Sequence, residues 1–209
     1  CGFWLGNPHP DTWPIYLDAF NAADTESVRC LLQDDFRWTI LGDREYRGPD
    51  RETLFDFRRC GQELSAAGAF ADCEDVQEVE DHDWPDPDDL DFTDALAKLR
   101  SSGEHYRASG FWAPFFHQAA DFFGMENYFI KMYTHPEVVH AVTKHMVDFY
   151  LEANVRYFEL AGREMDGYFF GNDFGTQLDT LISPKLFDEF VSPYFKQLTD
   201  LAHAYDYQV

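Results

Sequence analysis

The chain has 209 residues, 45% of them hydrophobic and 18% aromatic, with 21 Phe. That is enough apolar surface for a large core, and it excludes a disordered chain. Against 39 Asp and Glu stand only 16 Lys and Arg, and the net charge of −23 excludes nucleic acid and anionic membrane surfaces as partners.

In chain order, Phe3–Leu5 reads as a buried strand that runs into the turn Asn7-Pro8. Asp11 or Thr12 caps a helix over Ile15–Ala22, and Asp24 to Ser27 caps another over Val28–Leu32. Phe36, Trp38 and Ile40 alternate with Arg37 and Thr39, which predicts a strand over Phe36–Leu41. Gly42–Pro49 is a turn region, Arg51–Cys73 is ambiguous with room for a helix somewhere in Arg51–Leu64, and Val76–Val79 is a short edge strand. The acidic run Glu78–Asp94 reads as a solvated loop, an insertion near 74–94. It lacks the Asp/Asn, Gly and Glu spacing of a calcium loop.

Asp91–Arg100 is an amphipathic helix, Tyr106–Phe111 a strand, and Phe115–Phe123 a helix stopped by Gly124. Thr134 and Glu137 have capping-box spacing and open a long helix that ends at Ala161-Gly162. Gly167–Phe170 is an aromatic strand and Gly171–Thr180 a polar loop. Ser183 and Pro184 start a helix running to about Ala204, and Tyr207–Val209 opens another strand. No apolar run has the length of a membrane span. Cys1, Cys30, Cys60 and Cys73 form no CxxC pair and have no His at zinc-finger spacing. That is the pattern of free thiols in a reduced cytoplasm.

Strands alternating with helices predict a parallel α/β sheet, whose ligands gather at the C-terminal ends of the strands. The polar loop after Gly167–Phe170 lies at such an end. The residues expected there are Asp173 as the catalytic or ligand-contacting carboxylate, with Asn172 and Gln177 beside it. Trp112, Phe111 and Trp4 sit at or near strand ends and would floor a flat substrate pocket, with core packing the leading role for Phe111 and Trp4; His117, one turn into the next helix, either joins that pocket or packs within the helix.

Three stretches carry a family resemblance: GFWAPFFHQAADFF at Gly110–Phe123, YTHPEVV at Tyr133–Val139, and GNDFGTQLDTLISPKLFDEFVSP at Gly171–Pro193. Asp173-x-Gly175-x-Gln177, then Ile182-Ser183-Pro184 and Phe187-x-x-Phe190-x-x-Pro193, resemble the uroporphyrinogen decarboxylase superfamily, which also contains zinc- and corrinoid-linked methyltransferases. The resemblance implies a (β/α)8 TIM barrel. This chain would be its N-terminal part, a single partial domain over 1–209 with about four to five strands, truncated at both ends.

Departures from the family pattern rank its branches. The decarboxylases resemble one another in an Arg-rich segment after the first strand, where this chain reads Gly6-Asn7-Pro8-His9-Pro10. They also place a Tyr in the helix matched by Phe115–Phe123, which has none. The methyltransferases share a His-x-Cys zinc motif that would fall beyond Val209. The expectation is therefore an enzyme of methyl transfer, ahead of uroporphyrinogen decarboxylation or a non-catalytic binding barrel. Its partners would be a small-molecule substrate and a corrinoid protein. No metal or cofactor is expected within these residues, and zinc belongs to the part beyond them.

Overall fold

The computed structural model describes residues 10–49 and 54–209. The expected strand Phe3–Leu5 and the expected site residue Trp4 lie outside the described residues.

Two short helices, α1 (Trp13–Ala19) and α2 (Thr25–Leu31), precede the sheet. α1 buries none of its residues. α2 starts where the Asp24 carboxylate accepts the Ser27 N–H, an N-cap read correctly from the sequence. The sheet is parallel and runs in chain order through β1 (Phe36–Leu41), β2 (Tyr106–Phe111) and β3 (Gly167–Tyr168). Phe36 pairs with Tyr106, and the register continues to Leu41 opposite Phe111.

Between β1 and β2 lie α3 (Val76–Glu80) and α4 (Thr93–Ser101); between β2 and β3 lie α5 (Phe115–Phe123), α6 (Met125–Thr134) and α7 (Pro136–Ala161). α8 (Pro184–Phe190) and α9 (Ser192–Ala204) follow β3. α4 packs on β1 and α7 on β2, so helices cover one face of the sheet. On that face Arg37, Thr39 and Leu41 are buried, while Phe36, Trp38 and Ile40 on the other are half-buried. None of the helices is long and apolar enough to cross a membrane, among the described residues.

The barrel portion of four to five strands does not form. The described residues hold a three-stranded parallel sheet in a chain that is otherwise largely helical. Val76–Val79 is helical, because the Asp75 carboxylate accepts the Gln77 N–H and starts α3. Tyr207–Val209 contributes a single bridge, Gln208 to Gly167. β3 keeps only two of the four expected residues, because Asn172 and Asp173 tie the next turn to α5 and draw the chain off the ladder.

Other differences have local causes. Within Arg51–Leu64 the described part, from Leu54, is irregular. Asp56 and Arg58 take positive φ there, and Phe55 and Phe57 reach the core on either side of Asp56. The acidic run is built rather than bare: Asp75, Asp86 and Asp91 each accept a main-chain N–H two residues on, and Val79 and Phe92 are buried. The helix expected from Ser183 to Ala204 breaks at Val191. Pro193, near the start of α9, has no N–H to donate and its ring clashes with the carbonyl four residues back. α6 was not foreseen. Gly124, at φ 79°, makes the α5–α6 corner, where a Cβ would lie 2.9 Å from the Ser65 carbonyl oxygen.

The core under the covered face is aromatic, and the polar groups between the strands and α7 are paired. Asn154 on α7 accepts the Phe111 N–H at 2.9 Å, and its amide donates to the Tyr168 hydroxyl, which donates to the Phe111 carbonyl. Ser109 donates to the Thr39 carbonyl and shares a 2.8 Å bond with the Tyr157 hydroxyl. These bonds fasten β1, β2, β3 and α7 together without leaving the buried groups unsatisfied.

Candidate functional site

The open face of the sheet carries a floor of three rings that runs from the middle of β1 to the C-terminal ends of β2 and β3. Trp38 comes from β1, Trp112 follows β2 directly, and Phe169 follows β3 directly. The Trp38–Phe169 centroids are 4.6 Å apart and the planes nearly perpendicular, at 79°. Trp38–Trp112 is 5.3 Å and Trp112–Phe169 is 5.6 Å, both tilted. Each ring therefore touches the other two, in the edge-on and tilted arrangements that aromatic quadrupoles favour. Phe36 and Tyr106 stack at 5.9 Å toward the other end of the same face. Phe169 stays 42% exposed, which leaves ring surface for a ligand.

A polar rim stands beside the floor. The Asn172 carbonyl oxygen accepts the Phe116 N–H, and its amide donates to the Ala113 carbonyl. Asn172 thus caps the start of α5 with a side chain borrowed from another strand's loop. His117 Nε2 accepts the Asp173 N–H at 2.9 Å, which places the ring proton on Nδ1. Gly171 leaves room for Trp112, since a Cβ there would lie 3.3 Å from the indole edge. Farther along, Thr176 closes a turn by accepting the Leu178 and Asp179 N–H groups, and Phe174 packs on Phe116 and Phe187.

The expected site residues separate into groups. Trp112, Asn172, Asp173 and His117 come together at one place. Among them Asn172 and His117 use ring or amide atoms to hold the chain, whereas the exposed Asp173 carboxylate makes no hydrogen bond among the described residues. Phe111 is fully buried on the covered face and packs against Phe149 and Tyr150. Gln177 is exposed on the turn, away from these contacts. Trp38 and Phe169, two-thirds of the floor, were missed. Their signal was present: Trp38 shares strand parity with Phe36 and Ile40, the side opposite Arg37 and Thr39.

Zinc, which the resemblance implies for the methyl-transfer branch, does not fit this place. The floor and rim contain no Cys, and the imidazole of His117 already binds Asp173 through Nε2. Elsewhere Glu26, Cys30 and His105 bring ligand atoms within 4.8 Å of one another. The Arg37 guanidinium is already among them, bonded to Glu26 and 3.1 Å from His105 Nε2, and a second cation there would meet its repulsion. Comparison with family models, with curated proteins and with solved structures finds no match to this chain in any of the three.

Proposed function

We propose that the floor of Trp38, Trp112 and Phe169 binds a flat, weakly charged small molecule. On this reading the chain serves an enzyme that acts on it by methyl transfer rather than by porphyrinogen decarboxylation. The observation that carries the binding reading is the floor itself: mutually packed rings, partly exposed, that reach the C-terminal ends of parallel strands β2 and β3. Its rim of Gly171, Asn172, Asp173 and His117 includes no Lys or Arg. A substrate with many carboxylates would need such cations, so the rim supports a ligand of low charge. The preference for methyl transfer rests on the family resemblance and on the missing Arg-rich segment and Tyr. The described residues bind and orient; Asp173 supplies the free carboxylate over the ligand, and no metal step is assigned to them.

The test mixes the protein, supplied with zinc, with a methylated corrinoid and a free thiol and follows transfer of the methyl group to sulfur. In parallel, uroporphyrinogen should come back unchanged. Tryptophan emission should be quenched as corrinoid binds, and Trp112→Ala should weaken that binding by about tenfold or more. Coproporphyrinogen in the parallel reaction would reverse the order of the two chemistries. Quenching without turnover would favour a non-catalytic binding role. That second reading has an observation of its own, since Asn172 and His117 use their polar atoms within the chain.

A further inference from the structure

We propose that the cleft where α2, β1 and α4 meet is an anion site, shaped for a phosphate monoester on an aromatic or apolar body. The cleft has a volume of about 680 Å³. Arg29, Arg37, Arg44 and Lys98 line it, and Glu26 is the single carboxylate on its wall. In a chain with 39 acidic and 16 basic residues, that balance is the reverse of the average.

Two of the four cations are already committed. Arg37 binds the Glu26 carboxylate and the main-chain carbonyls of Asp34 and Phe36. Arg29 pairs with Asp34 at 2.9 Å. The other two are available. Arg44 makes one long bond, 3.5 Å to the Ile40 carbonyl, and neither Arg44 nor Lys98 forms an ion pair among the described residues. Lys98 also has like-charged company: partial desolvation, then Arg44 and Arg29, hold its pKa below the usual lysine value, against the pull of Glu45. An ammonium and a guanidinium that face one space and make no ion pair among the described residues are stabilised by an anion placed between them. A dianionic phosphate matches both charges, and a guanidinium fork suits its oxygens.

The opposing groups fix which side the anion takes. Glu45, Asp91 and Asp94 line a smaller adjoining cavity of about 140 Å³ that shares Arg44 and Lys98. Glu45 accepts the Gly42 N–H, and Asp91 lies 3.8 Å from Arg47. Their charge repels an anion toward the α2 side of Lys98. There the wall turns apolar, with Phe36, Trp38 and Ile40 along the outer strand of the three-stranded sheet. A ligand with one anionic end and one apolar end fits that sequence of surfaces. The site shares Trp38 with the aromatic floor but does not rest on the methyl-transfer reading.

The experiment is calorimetric titration of the whole chain at constant ionic strength with phenyl phosphate, inorganic phosphate and phenol. Phenyl phosphate should saturate a single site, inorganic phosphate should bind about tenfold more weakly, and phenol should give no heat of binding. Joint replacement Lys98→Gln and Arg44→Gln should weaken phenyl phosphate more than about tenfold. Both side chains are exposed, so the melting temperature without ligand should hold. The rise in melting temperature that phenyl phosphate gives the wild type should disappear. Lys144→Gln, which removes a paired surface cation on α7, should change affinity by less than about twofold. Absence of saturation, an unchanged affinity in the double variant, or an equal loss in Lys144→Gln would each overturn the assignment. Trp112→Ala separates the two sites, because it should weaken corrinoid and leave phenyl phosphate alone.

Discussion

The two faces of the sheet are made from the same three strands and answer to different rules. On the covered face, Leu41, Phe111 and Tyr168 are sealed under α4 and α7, and the polar groups Ser109, Asn154 and Tyr157 that reach them are bonded. On the open face, Trp38, Trp112 and Phe169 pack on one another and keep surface in water. The first face is what a folding chain needs, close-packed and satisfied. The second leaves large apolar rings partly uncovered, the surface on which the proposed binding rests. The difference teaches where to look for function: not at the most buried aromatics but at those the helices left partly uncovered.

The sharpest way to break this comparison is to injure each face in turn and ask what is lost. Phe111→Ala should cost about 3–5 kcal/mol, the range for an aromatic ring removed from a closed core. Chemical denaturation measures it, and a loss below about 1 kcal/mol would mean that the covered face is not the core. Asn154→Ala comes next, at roughly 2–3 kcal/mol, because it orphans the buried Phe111 N–H and removes a partner of the Tyr168 hydroxyl. Asn154→Asp tests the geometry further, since a carboxylate keeps the acceptor for Phe111 but cannot donate to Tyr168.

Alkali probes the covered face without a mutation. Burial pushes the Tyr157 hydroxyl from 10.0 up to about 12, although its bond to Ser109 acts the other way. The folded state therefore holds the phenol proton more tightly than the unfolded chain does. The contribution is complete below about pH 10 and is lost as pH rises through about 12, roughly 3 kcal/mol at most. Melts across that window should show less alkaline loss for Tyr157→Phe than for wild type. Equal slopes would show that Tyr157 is not sealed from water.

The open face should respond in the opposite currency, binding rather than stability. Trp112→Ala should lower stability by only about 1–2 kcal/mol, because the indole is half-buried, while corrinoid quenching falls away. The smallest stability effect belongs to Asp173→Asn. Its carboxylate has no partner among the described residues and its N–H, which does, is kept, so stability should stay within about 0.5 kcal/mol. A loss of ligand affinity at unchanged melting temperature would place the carboxylate over the ligand. Unchanged affinity would leave Asp173 as a turn residue whose main chain alone matters.

Local chemistry was legible in the sequence wherever one short stretch decided the outcome. Alternation placed β1, the N-caps at Asp24 and Ser183 were read correctly, and α7 begins and ends within a residue or two of the positions its sequence signals. The corner Trp112-Ala113-Pro114 and the loop from Gly171 were recognised as strand-end segments, and the structure brings Trp112, His117, Asn172 and Asp173 together there. Pro193 is a visible signal in the sequence for the break at Val191. Phe55 and Phe57 were not readable as core residues, because positive φ at Asp56 and Arg58 turns the chain without a Gly or Pro to announce it.

What only the tertiary structure decided was how far strands extend and which aromatics stay open. An apolar run states a preference for burial, but strand length depends on a partner ladder, and the loop of β3 was claimed by α5 through Asn172 and His117. Trp38 and Phe111 look equally apolar in the sequence. One lies on the half-open face and the other is sealed in the core, because α4 and α7 pack on a single face of the sheet. Composition and periodicity determine that a side chain must leave water; only the packing of neighbours distant in sequence determines whether it does so completely.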